Sequence, residues 1–272
     1  MPRIFDIVKL IEQTAKPGYA YEWDNCGFMA GDLQEQTERI LVALDITKDV
    51  VLEAKVKGCG LIVSHHPLIF KPIRTASVNT FEGEILSLLY QNKIALYCAH
   101  TSLDIAPDGV NDAFCDTLKL RNVRLLSPFQ ACGDTVACAR LGNLPERMDM
   151  AMLLQHIRGT TGAPRLLYGG LEKKSFETAA VCTGAGEEFA FEAANEGADV
   201  FITGEIKYHT ALELRRRDIA FVAAGHFYTE RPIVQWFARR LQKQLDMLQY
   251  SSTVYPAQTH TDPFDNEGGV YL

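Results

Sequence analysis

The sequence predicts an α/β protein of two similar lobes, each built from parallel strand–helix–strand units. Three observations predict it. Short runs rich in Val, Ile and Leu alternate with amphipathic stretches, the pattern of a parallel sheet with helical crossovers. That alternation occurs twice, on either side of a segment dense in Gly and Pro. In both halves the last strand of the series runs into a polar motif, His100 to Asp104 in the first and His226 to Glu230 in the second.

The elements follow in order. Ile4, Ile7, Val8, Leu10 and Ile11 recur at helical spacing and predict an opening helix that ends near Pro17-Gly18. Arg39 to Asp45 reads as a buried strand, and a helix through Val50 to Ala54 is stopped by Gly58. Leu61 to Ser64 is the next strand and delivers His65 and His66 to its C-terminal end, just before Pro67. Phe81 to Gln91 is helical, Ile94 to Cys98 is a strand, and His100 to Asp104 lies beyond it. Ligands of open α/β sheets gather outside the carboxyl ends of the strands, where both motifs fall. The middle, 128 to 175, holds Gly133, Gly142, Pro145, Gly159, Gly162 and Gly169-Gly170, which suggests a lobe boundary and short antiparallel pieces. Strand Thr178 to Cys182, helix Glu187 to Asn195, strand Asp199 to Thr203, helix Tyr208 to Arg216 and strand Ile219 to Ala223 restore the alternation. Phe227 to Leu245 is apolar at helical spacing, and Leu248 to Tyr255 reads as a last strand before a polar tail. The expected lobes are therefore 1–127, completed by 246–272, and 128–245.

At 272 residues, 47% hydrophobic and 22% charged, the chain has the composition of a soluble globular protein. Its net charge of −7 argues against a general nucleic-acid or anionic-membrane binder, which needs a basic face, although a local basic pocket is compatible with it. The seven cysteines are odd in number, scattered and never in a CxxC pair, so they read as free thiols in a reducing compartment. The N-terminus lacks the apolar core of a signal peptide and no 18-residue apolar run occurs, so a cytoplasmic location is expected.

Chemistry concentrates in His65, His66, Asp104, His226 and Glu230, all nitrogen and oxygen donors and none a thiolate. Adjacent side chains on a regular strand point to opposite faces. At a strand end before a proline the chain leaves the ladder, so His65 and His66 can turn toward one cavity, where their divergence suits two metals better than one. His226 and Glu230, four apart, share a face if they start the last long helix, and Glu230 could then bridge two ions. Imidazole and carboxylate without sulfur fit zinc, iron, manganese, cobalt or nickel. His100 reads as a further ligand, a partner of a neighbouring carboxylate or a proton donor. His209, beside Glu205, reads as a substrate contact or proton-transfer group. His156 and His260 read as structural or solvent-facing, and Asp24 and Asn25 as loop-stabilising. Thr183-Gly184-Ala185-Gly186, between a strand and a helix, is either a phosphate cradle or a tight turn. Lys71, Arg74 and Lys207 are the basic candidates for a substrate phosphate.

Several segments together resemble the NIF-three-like family, also called the type 2 GTP cyclohydrolase I homologues. They are Trp23-Asp24-Asn25-Cys26-Gly27-Phe28 with Gly31, Leu44-Asp45-Ile46-Thr47, His65-His66-Pro67-Leu68-Ile69-Phe70 and His100-Thr101-Ser102-Leu103-Asp104. Gly109-Val110-Asn111-Asp112, Ile202-Thr203-Gly204-Glu205 with His209, Gly225-His226 with Thr229-Glu230, and Thr261-Asp262-Pro263-Phe264 follow in family order. Ser102 stands where the family commonly has asparagine, and Thr229 where it often has serine; neither change removes a donor. The resemblance implies a two-lobed fold with a dinuclear centre in the cleft between the lobes, and a chain of the short form, without an inserted middle domain. It implies two divalent ions per chain (zinc, iron or manganese) on His65, His66, Asp104, His226 and a bridging Glu230, with His100 and His209 as catalytic candidates. It also implies a ring-shaped homohexamer, a trimer of dimers, and a small-molecule substrate such as GTP or another nucleotide; from the acidic charge and the lack of a long apolar run, no membrane partner is expected and nucleic acid is a poor one. Two further functional classes stand beside metal-dependent hydrolysis: a non-catalytic metal-binding scaffold, regulator or metallochaperone, and a nucleotide-binding module resting on the Gly184–Gly186 turn.

Overall fold

A computed structural model describes residues 1–170 and 175–264. In chain order the elements are α1 (Ile4–Thr14), β1 (Gly27–Ala30), β2 (Arg39–Ala43), α2 (Lys48–Lys57), β3 (Leu61–Ser64), α3 (Phe81–Gln91), β4 (Ala95–Cys98) and α4 (Thr101–Ile105). Next come α5 (Val110–Thr117), β5 (Arg121–Leu126), β6 (Phe129–Ala131), β7 (Asp134–Val136), β8 (Ala139–Met148), α6 (Met150–Thr161) and β9 (Leu167–Gly169). β10 (Phe176–Cys182), α7 (Ala190–Asn195), β11 (Val200–Thr203), α8 (Tyr208–Arg216), β12 (Ala220–Ala223), α9 (His226–Glu230), α10 (Pro232–Met247) and β13 (Thr253–Pro256) complete the series.

The chain divides into two compact units. The first comprises Met1–Gly109 and Ile233–Thr261, the second Val110–Pro232 with 262–264 of the tail. The divisions fall at 109/110 and 232/233 rather than at the breakers near 127 or after 245. Packing accounts for both positions. Phe114 and Cys115 of α5, with the following Leu118, sit in a core cluster of the second unit. In α10, Arg240 reaches Asp108 Oδ2 at 2.6 Å and Thr14 Oγ1 at 3.0 Å, both in the first unit. The expectation that the tail completes the first lobe concerns, from 265 on, residues outside those described.

In the first unit a five-stranded sheet runs β1-β4-β3-β2-β13. β2, β3, β4 and β13 are parallel, and β1 adds antiparallel to β4. α2 begins at Thr47, whose side chain accepts from the Val50 amide, and ends at Gly58, which takes a left-handed φ of 67° that a side chain would oppose. Val50, Val51 and Ala54 of α2 and Ile85 and Leu89 of α3 close over Leu41, Ala43, Ile62 and Leu96. Gln242 of α10 covers the outer edge of β13, accepting from the Val254 amide at 2.8 Å and donating to the Ser252 carbonyl at 2.8 Å. An edge strand satisfied in this way offers no ladder to another chain.

In the second unit a six-stranded sheet runs β5-β8-β10-β11-β12-β9, with β10, β11 and β12 parallel. Its strands are apolar on both faces because both are covered. Ala179, Val181, Val200, Ile202, Ala220 and Val222 pack with Leu153 and Ile157 of α6. Ala180, Cys182, Phe201 and Phe221 pack instead with Ala190, Ala193 and Leu214 of α7 and α8. The Gly-rich middle holds the antiparallel strands β6 to β9 but also the helix α6, capped by Asp149 and ended by Gly162. The long helix expected from Phe227 is two helices, α9 and α10, meeting at Arg231 and Pro232. Proline cannot supply the amide that a continuous helix needs there. Among the described residues no helix is long and apolar enough to cross a membrane.

Candidate metal centre

In the first unit the donors sit at the carboxyl ends of β3 and β4. The His65 amide bonds to the Ala43 carbonyl at 3.0 Å and the His66 amide to the Leu44 carbonyl at 2.8 Å, which ties the pair to the end of β2. Off the ladder, the two rings lie 4.9 Å apart, centre to centre. His100, just before α4, brings its ring to 5.3 Å from His65 and 5.6 Å from His66. Ligand nitrogens of the three residues lie within 4.8 Å of one another. One turn on, Asp104 places Oδ1 3.6 Å from His65 Nε2.

Every one of these imidazoles has its Nδ1 engaged. His65 Nδ1 faces the Ala99 carbonyl at 3.0 Å, His66 Nδ1 the Asp45 carboxylate at 2.7 Å and His100 Nδ1 the Asp24 carboxylate at 2.9 Å. A carbonyl only accepts, so His65 carries its proton on Nδ1 and its lone pair on Nε2. A carboxylate on Nδ1 orients the other two in the same sense. The anchors are anchored in turn. Asp45 accepts from Thr261 Oγ1. Asp24 accepts from the Thr101 amide at 3.0 Å, Thr101 Oγ1 at 2.6 Å and Cys26 Sγ at 2.9 Å. Burial works against the Asp24 charge, yet the bonds from His100, Cys26 and Thr101 hold its carboxyl well below the usual range. Burial, with Asp24 adding to it, pushes the Cys26 thiol up to about 11, so this sulfur is a hydrogen-bond donor and not a thiolate ligand.

In the second unit His226 and Glu230 lie one turn apart on α9, with His226 Nε2 3.0 Å from Glu230 Oε2. His226 repeats the pattern of the first unit, its Nδ1 2.8 Å from Glu205 Oε1. Glu230 is only 4% exposed, a burial that carboxylates rarely adopt unless paired or bound to a cation. The loop after β10 is shaped around it. Gly184 has φ +59°, and a Cβ there would run into Glu230 Oε1 and stand 3.2 Å from His226 Nε2. A Cβ on Gly204 would meet the Gly184 carbonyl at 2.5 Å and His226 Cα at 2.9 Å. The Gly184 amide donates to Thr229 Oγ1 at 3.1 Å and the Thr183 amide to Asn111 Oδ1 at 2.9 Å. The Thr183 and Gly184 amides are thus spent within the fold, and the turn that holds them makes room for a carboxylate.

His209 is exposed on α8, its ring 5.4 Å from Tyr208, and it belongs to none of the three-donor groups among the described residues. His156 bonds to the Leu118 carbonyl at 2.8 Å, and His260 is exposed. Lys71 and Arg74 are exposed, whereas Lys207 pairs with Glu187 at 2.7 Å. The residues that sequence reasoning passed over are the anchors Asp24, Asp45 and Glu205. Asp24 read as a loop residue; its side chain is fully buried and holds His100.

The family description Duf34/NIF3 (NGG1p interacting factor 3) matches residues 2–263. The chain belongs to that family. A Clostridium acetobutylicum relative named GTP cyclohydrolase 1 type 2 homolog is 31% identical over 262 residues, 96% of this chain and 98% of the relative. Among solved structures, a Bacillus cereus protein related to NIF3 superposes with a TM-score of 0.93 at 24% identity, over 98% of this chain and 99% of that one. A Staphylococcus aureus protein gives 0.92 at 26% identity, over 97% of this chain and 99% of that one. These likenesses establish the NIF3 fold.

Proposed function

We propose that this NIF3 protein holds two divalent metal ions and uses them for hydrolysis. His65, His66 and Asp104 of the first unit and His226 and Glu230 of the second would be the ligands, and GTP or another nucleotide the substrate. The observation that carries the reading is the shared wiring of the imidazoles. Four histidines from two units each have Nδ1 on a carbonyl or carboxylate, so each offers Nε2 as a donor. That wiring is what metal-binding histidines use. The donor set, nitrogen and oxygen without thiolate, fits zinc, iron or manganese. When bound, such ions supply Lewis acidity and a water activated near neutral pH.

The rest falls to the chain. Glu230, in the room that Gly184 and Gly204 leave, would be the bridging carboxylate. His100, its Nδ1 proton held by Asp24, would present the Nε2 lone pair to take a proton from the reacting water or substrate and return it. His209, on the exposed start of α8, is assigned to substrate contact. A homohexameric ring is the assembly we propose.

Metal analysis of the purified chain beside Glu230→Gln tests the reading. Two ions per chain are expected, falling to one or none in the variant; the same content in both overturns the bridging role. Release of formate from GTP by the metal-loaded protein tests the substrate. Metal binding without turnover of any nucleotide would leave a scaffold or metallochaperone in place of a hydrolase.

A further inference from the structure

Beside the three imidazoles of the first unit, the chain exposes aromatic surface that its own packing does not explain. Trp23 is 61% exposed and Phe70 46%. Both large apolar side chains lie against the ring of His100, Trp23 at 6.4 Å and Phe70 at 6.2 Å, and they stand 6.0 Å from each other. The three planes are steeply inclined: 66° between Trp23 and Phe70, 74° between Trp23 and His100, and 81° between Phe70 and His100. Three rings set this way form the walls of a corner. Tyr21 stacks on Trp23 at 5.4 Å and 19°, which fixes the indole plane. Asn25 donates to the Ile69 carbonyl at 2.6 Å, which ties the Trp23 loop to the Phe70 loop.

We propose that this corner is the ring subsite of the proposed centre, with Trp23 and Phe70 receiving a planar heteroaromatic ring beside His65, His66 and His100. The inference rests on the reading above for its location, but stacking itself needs no metal. A flat π-system can stack on one wall while its edge meets the others, the geometry that aromatic pairs prefer. Base–aromatic stacking tolerates any base, so the corner selects for a planar ring and leaves the choice among purines and pyrimidines to other groups. Aromatic corners also take quaternary ammonium ions. Here that occupant is disfavoured, because divalent cations bound at the neighbouring imidazoles would repel it.

The chain has two tryptophans, Trp23 and Trp236. Trp236 donates Nε1 to the Asp108 carbonyl at 3.1 Å in the same unit, so Trp236→Phe leaves Trp23 as the only indole reporter. Trp236→Phe protein is titrated with AMP, GMP and ribose 5-phosphate in metal-stripped form, and with choline in metal-loaded form, while indole fluorescence is followed. Saturable quenching by AMP and GMP, absent with ribose 5-phosphate and choline, is expected. Phe70→Ala, an exposed position, should weaken it about 5- to 100-fold while metal affinity measured separately stays unchanged. No saturable quenching by either nucleotide, or quenching by choline alone, overturns the inference. So does an indole shielded from iodide at every concentration at which the chain is assembled, since copies of the chain would then cover the corner. Stacking that persists in a protein unable to bind metal sinks the metal reading and keeps this one; metal binding without stacking does the reverse.

Discussion

Gly184→Ala adds one methyl group where the second unit has no room for it. Two costs follow. Gly184 has φ +59°, and an L-residue in that left-handed region costs roughly 1–2 kcal/mol. The new Cβ would also run into Glu230 Oε1, a carboxylate on a packed helix with 4% exposure, while the glycine backbone is held by the Thr229 hydroxyl. To clear the methyl the carboxylate must retreat by on the order of 1 Å, enough to spoil a site that needs its donors placed to within about 0.5 Å. Metal affinity at the ion that Glu230 serves should fall by at least the roughly 10–100-fold lost when a ligand's supporting partner is removed. The assay is competition with a chromophoric chelator, together with thermal unfolding of the metal-free chain. Gly159→Ala is the control: it lies in α6 with no atom within 4 Å of the added Cβ, and should be neutral or stabilising by about 0.5–1 kcal/mol. If Gly184→Ala bound metal with unchanged affinity and stoichiometry, the claim that this turn exists to admit the Glu230 carboxylate would be refuted.

Three further outcomes are expected. Asp24→Asn leaves a side chain of the same shape but removes the charge that orients His100; metal affinity or turnover should drop about 10–100-fold with the fold retained by circular dichroism. Arg140 is 1% exposed and forked onto the partly buried Asp112 at 2.7 and 2.8 Å, so Arg140→Met strands a carboxylate that solvent reaches only in part and should cost about 2–3 kcal/mol in urea unfolding; Arg140→Met with Asp112→Leu should recover much of it. Glu53 accepts from Lys57, Thr259 and the 258 and 259 amides, bonds that overcome its burial and lower its carboxyl to about 2. A depressed carboxyl contributes stability above its unfolded value, and that contribution is lost as pH falls from about 4.5 toward 2. Glu53→Gln should therefore lower stability at neutral pH and flatten its decline across that acid window.

The strand ends were readable because their physics is local. Leu61 to Val63 and Ala220 to Ala223 are apolar throughout, as strands covered on both faces must be, and each is followed within three residues by a histidine. The four-residue spacing of His226 and Glu230 foretold a shared helical face, although α9 is a helix of its own. β1 was missed: Gly27–Ala30 is a short strand that exists because β4 offers it an edge. The helix α10 reads as a continuation of the second half, and its contacts with Thr14, Asp108 and the edge of β13 place it in the first unit.

What the sequence by itself determined is the inventory: imidazoles and carboxylates at strand ends, no thiolate pair, and a family order of motifs from Trp23 to Phe264. What only the tertiary structure decided is how each imidazole is held. Asp24 lies 76 positions from His100, and Asp45 and Glu205 each lie 21 from the histidine they orient. The direction of a lone pair depends on the hydrogen bond at the opposite ring nitrogen, and partners at such separations leave no periodic trace in a chain. The same holds for Gly184, whose missing side chain has meaning only once Glu230 has been folded against it.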